Sequence, residues 1–175
     1  LHINAACVER PADIPNEELS YDPRTLWTPS YGLTKFSDLF TNRQLVALTT
    51  LSDLVGEARE KILADALAAD MPEGERLEKG DTGAAAYADA VATYLALAVS
   101  RTADYCNALC TWHTGRDIVT HLFTRQAIPM TWDFIESNIF SSSSGNFQGQ
   151  LGWIVKVLNK LSASPPGYAD QVSAS

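Results

Sequence analysis

Cys106, Cys110 and His113 are spaced to fall on one face of a helix, where two thiolates and an imidazole can share a metal ion, with His121 folding back as a fourth ligand. Structural zinc sites favour short C-x2-C knuckles, and the chain has none. The plainer reading is therefore taken: two small buried thiols, one helix-terminal cation and no metal. Asp133 and Glu136, three residues apart, would divide acid and base roles only if their surroundings pushed their pKa values apart. Capping, salt-bridging or solvent-facing roles need no such cleft. Ser143-Ser144-Gly145-Asn146 precedes an apolar run, and free N–H groups at a helix start attract phosphate or carboxylate. Without the Gly-rich length and lysine of a P-loop, this stretch reads first as an N-cap loop. Arg43, Arg101, Arg116 and Arg125 are scattered among acids and read as ion-pair partners before they read as a nucleic-acid patch. No G-x-S-x-G elbow and no recognisable Cys or His nucleophile signature supports a hydrolase.

These residues need elements to position them, and the sequence predicts mostly helices. Residues 1–30 are rich in proline and acid, which predicts an extended arm anchored by Trp27 and Tyr31. A helical domain is expected over 31–162 and a Ser/Pro/Gly linker or tail over 163–175. Thr41-Asn42-Arg43-Gln44 spells a capping box, with Phe40 and Leu45 as its hydrophobic staple. Leu45, Leu48, Val55, Ala58, Ile62 and Ala66 then draw one face of a long helix ending near Met71-Pro72. A charged, glycine-bearing connection follows over 73–83. A second long helix is expected from Ala84 to Trp112, antiparallel to the first, and a shorter one from Arg116 to Ala127 before Pro129. Asn146 caps a last helix bearing Phe147, Leu151, Ile154, Val155, Leu158 and Leu161. The expected fold is all-α or nearly so, with four or five helices, two of them long and antiparallel, behind an irregular N-terminal arm.

At 175 residues the chain can bury a single core without disulfides, and 46% hydrophobic with 19% charged residues is the composition of an ordinary folded domain. A net charge of −8 opposes nonspecific wrapping of duplex DNA, which depends on neutralising phosphates. Three cysteines without a paired pattern suggest reduced thiols and a cytoplasmic setting. No apolar run is long enough to span a bilayer, so no membrane partner is expected. Leu1 in place of Met suggests processing or excision from a longer protein.

The ordered runs Tyr31-Gly32-Leu33-Thr34, Asp38-Leu39-Phe40-Thr41-Asn42-Arg43-Gln44-Leu45 and Arg125-Gln126-Ala127-Ile128-Pro129-Met130-Thr131-Trp132-Asp133-Phe134 stand out. They continue in Glu136, Asn138 and Ser143-Ser144-Gly145-Asn146. Together, from about Tyr31 to Leu161, they resemble an internal region, a domain of unknown function, of the large bacterial and archaeal adenine-specific DNA methylases that contain a zinc ribbon. The resemblance implies a parent that uses S-adenosylmethionine, held by a Gly-rich loop upstream, and a D/N-P-P-Y motif downstream that holds the extruded adenine. Neither motif is in this chain, and the ribbon cysteines are missing as well. Ser137-Asn138-Ile139-Phe140 lacks both prolines, and Ser164-Pro165-Pro166-Gly167-Tyr168 begins with serine and has glycine before the ring. Where the family reads Asn-Pro-Phe, this chain reads Asn138-Ile139-Phe140.

What the resemblance implies is a helical insertion in a DNA adenine methyltransferase, not active alone and with no cofactor of its own. Its partners would be the rest of the parent and, through it, DNA. Arg125, Gln126, Asp133, Glu136, Asn138, Ser143, Ser144 and Asn146 are the expected DNA or interdomain contacts, because so polar a segment around Pro129 and Trp132 exceeds what packing requires. The alternative is a structural or protein-interaction module of a larger cytoplasmic protein. Basic patches near Arg125 and Ser143 would favour the first; a large exposed apolar face would favour the second.

Overall fold

A computed structural model of the chain describes residues 8–22, 24–123 and 126–161. They form a mostly helical fold of three α-helices, α1 (Asn42–Ala68), α2 (Ala84–Tyr105) and α3 (Phe147–Leu158), with a small antiparallel pair, β1 (Trp112–His113) and β2 (Ile118–Val119). Short 3-10 turns at Thr28–Tyr31, Phe36–Leu39 and Leu77–Lys79 connect them.

α1 starts where the capping box places it. Gln44 N–H donates to Thr41 Oγ1 at 3.3 Å, and Thr41 N–H donates to Gln44 Oε1 at 2.8 Å. α1 and α2 run antiparallel: Arg59 of α1 meets Asp89 near the start of α2, while Leu48 and Leu51 pack with Val99 and Cys106 at its far end. Ala84, Ala86, Ala88 and Ala98 are buried on α2, and small side chains let the helices approach closely. Pro72 and Glu73 carbonyls accept from the N–H groups of Ala84 and Ala85, so the returning loop caps α2 with backbone in place of a side chain.

Two expected helices are corrected. α2 stops at Tyr105, not Trp112, because the Asn107 side chain takes over the chain's hydrogen bonds. Its Nδ2 donates to the Ala103 and Asp104 carbonyls, and its Oδ1 accepts from Leu109 N–H at 3.0 Å. The helix expected from Arg116 to Ala127 is absent over its described residues, which begin instead with the hairpin strand β2. Asp117 takes a left-handed φ of 49°, as Asp tolerates in turns, and β-branched Ile118, Val119 and Thr120 favour the extended return. Thr111 and Thr120 extend the pairing, with Thr120 N–H donating to Thr111 O at 2.8 Å. Among the described residues the expected four or five helices therefore become three.

The N-terminal segment is woven into the fold. Leu19 N–H donates to Thr34 O, Phe36 N–H donates to Glu17 O, and Leu26 bridges in parallel to Ile128. Leu19 is buried in one core cluster with Leu39, Leu109, Leu122 and Ile128. The expected anchors Trp27 and Tyr31 are instead exposed, and Leu19 does the anchoring. A second cluster joins Leu51, Cys106 and Ile139 with Phe147. The linker expected over 163–175 lies outside the described residues.

Candidate interdomain contact surface

The runs singled out in the sequence meet in space. The rings of Tyr31 and Trp132 pack edge to face at 5.2 Å, and backbone bonds tie Thr25 and Trp27 to Ile128. Glu136 links the third run to the second: its Oε1 accepts from Thr41 Oγ1 at 2.7 Å, and its Oε2 pairs with Arg43. Thr41 Oγ1 thus accepts from the first turn of α1 while donating its proton to Glu136. This network gives Glu136 an architectural role, while Asp133 is exposed.

The other expected contacts divide. Gln126, Asn138 and Ser143 are exposed, and Ser144 and Asn146 are half-buried. Asn138 Oδ1 accepts from Phe140 N–H at 3.0 Å, an Asx turn that exposes Phe140 and buries Ile139 beside Leu51 and Cys106. Ile139 is therefore a core residue. Ser143 Oγ sits 2.8 Å from Ser141 Oγ, and Ser144 Oγ accepts from Val119 N–H at 2.9 Å. Asn146 caps α3 as expected, Oδ1 accepting from Gly149 N–H at 2.6 Å, while its Nδ2 donates to Ser143 O. Arg125 lies outside the described residues.

The two thiols and His113 do not gather. Cys110 lies beyond the end of α2, and His113 is exposed on β1. Burial pushes the Cys106 thiol up to about 12 and the Cys110 thiol up to about 11, which keeps both protonated and poor as ligands or nucleophiles. Among the described residues no group of three or more His, Cys, Asp and Glu is placed to hold a metal ion. No helix among them is long and apolar enough to cross a membrane.

Two features escaped the sequence reading. The first is an apolar groove of about 320 Å³ between α2 and α3, lined by Tyr94, Leu97, Trp153, Val157 and Leu161, with Arg101 at its edge. Val157 and Leu161 are 56% and 63% exposed. The stripe on α3 was legible; that its partner helix covers only part of it was not. The second is a contact between His121 Nδ1 and Asp104 Oδ2 at 2.8 Å, from residues that carry no shared motif.

Compared with known protein families, curated proteins and solved structures, the chain matches none.

Proposed function

We propose that the chain is a non-catalytic helical domain of an S-adenosylmethionine-dependent DNA adenine-N6 methyltransferase, in which it helps handle DNA or completes a wall of the active-site cleft. The observation that carries this reading is the convergence of the resembling runs. Tyr31 on Trp132, and Thr41 and Arg43 on Glu136, join segments about a hundred residues apart in the chain, so the motifs work as one structural unit. The Gly-rich donor loop that the resemblance places upstream is not in this chain. A groove of about 580 Å³ is walled by residues of the N-terminal segment such as Pro11 and Pro15, and by Leu45, Leu48 and Val99, with no glycine among its described lining residues. No methyl-transfer step is assigned to this chain.

The exposed α2/α3 groove favours docking within this reading, since contiguous apolar surface marks contact sites. α3 carries no acidic residue, and Lys156 lies 4.5 Å over the Trp153 ring. The same groove suits the alternative, a protein-interaction module of another kind of parent. Calorimetry with S-adenosylmethionine and a methylation assay separate these readings. The isolated chain should bind no donor, and the intact parent should both bind it and methylate adenine. Stoichiometric donor binding by the isolated chain would overturn the non-catalytic role, and a parent without adenine methylation would leave the interaction module standing.

A further inference from the structure

α3 begins beside the end of α2, where Phe147 packs with Cys106 and Leu51, and runs back along it. Tyr94, Leu97 and Arg101 share one face of α2, at steps of three and four residues. Trp153, Val157 and Leu161 recur every fourth residue opposite them. Leu161 N–H donates to Val157 O at 3.1 Å, which carries that row past the end of α3. The two rows are the walls of the groove of about 320 Å³, roughly two helical turns long by the rise of α3. Leu97 is 53% exposed and Trp153 55%, so neither helix covers the wall of the other.

The charge around this groove opposes that of the chain. Overall, 21 acidic residues against 13 lysines and arginines give −8. Residues 90–103 and 146–161, the stretches that form the walls, contain Arg101, Lys156 and Lys160 and no acidic residue. All three cations are exposed, and Lys156 lies 4.5 Å from the Trp153 ring, beside the groove. An apolar floor between cationic walls selects a partner that is apolar along a line and acidic on both sides of it. The groove between two packed helices accepts the ridge of a third, whereas a flat lipid surface reaches only its rim. A second copy in two-fold symmetry would set cationic wall against cationic wall.

Building on the docking role proposed above, we propose that the groove receives an amphipathic helix from the remainder of the parent, with an apolar stripe about two turns long and acidic residues along both edges. Leu97, Trp153 and Val157 take the stripe, and Arg101 and Lys156 face the acids.

Two synthetic helical peptides are the probes, with the same leucine stripe flanked by glutamate in one and by lysine in the other. They are titrated into the full chain by calorimetry and by the Trp153 indole resonance, assigned with Trp153→Phe. The glutamate peptide should bind one to one, shift that resonance and bind at least about tenfold more tightly than the lysine peptide at low salt, with the margin shrinking as salt is added. Val157→Asp should weaken it by at least about tenfold. Arg101→Glu combined with Lys156→Glu leaves the apolar walls intact and should reverse the preference between the peptides, which provides the readout if Val157→Asp fails to fold. No saturable binding, equal affinity for the two peptides, or a preference unmoved by the charge reversal would overturn the helix site. So would a Trp153 resonance that responds to anionic phospholipid vesicles, or to the chain's own concentration, and not to the glutamate peptide. Methylation by the parent does not enter these titrations, so the groove's partner and the methyltransferase reading fail separately.

Discussion

Single side chains here decide where the backbone stops, starts and turns. Thr41 caps α1 and anchors Glu136 through one hydroxyl, so Thr41→Ala removes two bonds at once. It should cost about 1–2 kcal/mol, measured as a lower urea midpoint at unchanged slope, while Thr41→Ser should recover most of it. An unchanged midpoint would show that neither bond contributes. Cys106 and Cys110 are buried with raised thiol pKa values. Iodoacetamide at mildly alkaline pH should leave both unlabelled in the folded chain and label both in urea, as peptide mapping would report. The capping box was legible because both of its partners are local in sequence. Asn107 was not, because an asparagine near a helix end competes with the backbone only when its own geometry allows both carbonyl and N–H contacts.

The connection between α1 and α2 shows how an element is held by what crosses it. Asp89, buried on α2, receives Arg76 and Arg59 and the Leu77 N–H. The Arg76 guanidinium first, and then that of Arg59, hold its carboxyl far below the usual carboxylate range. A depressed folded pKa gives stability that is present above the unfolded value of about 3.9 and lost as pH falls toward the folded one. Acid denaturation should therefore steepen below about pH 4, and Asp89→Asn should remove that steepening while lowering stability at neutral pH. An identical acid profile in the variant would assign the loss to other carboxylates. Gly83 is constrained by the same loop: a Cβ there would stand 2.8 Å from both the Pro72 and Glu73 carbonyl oxygens that cap α2. Gly83→Ala should cost about 1–3 kcal/mol by forcing those carbonyls away, read as a lower thermal midpoint. Apolar periodicity made α1, α2 and α3 legible. It failed over 106–127, where helical spacing of Leu109 and Trp112 coincided with residues that bury or pair for other reasons, and where β-branched Ile118, Val119 and Thr120 carried the better signal.

At the scale of the whole molecule, the polar segment around Trp132 is divided between structure and surface. Glu136, Ser144 and Asn146 are engaged internally, while Gln126, Asp133 and Trp132 stand exposed, the last by 75%. For Glu136 and Ser144 the residue types left both fates open, since their pairing depended on Thr41 and Val119, far away along the chain, whereas the Asn146 cap on Gly149 is local and was legible. In the function proposed above, this chain would serve a methyltransferase through its surfaces. The apolar α2/α3 groove, with Arg101 in its lining, is the surface offered for that role. The most direct test is S-adenosylmethionine-dependent formation of N6-methyladenine in DNA by the full-length parent, wild type against Val157→Asp, with the melting of the isolated variant chain as the control for folding. The wild type should methylate, and the variant should lose at least about tenfold at unchanged melting, the scale of a lost apolar anchor at an interface. Wild-type protein that forms no N6-methyladenine, or a variant as active as the wild type, would contradict it.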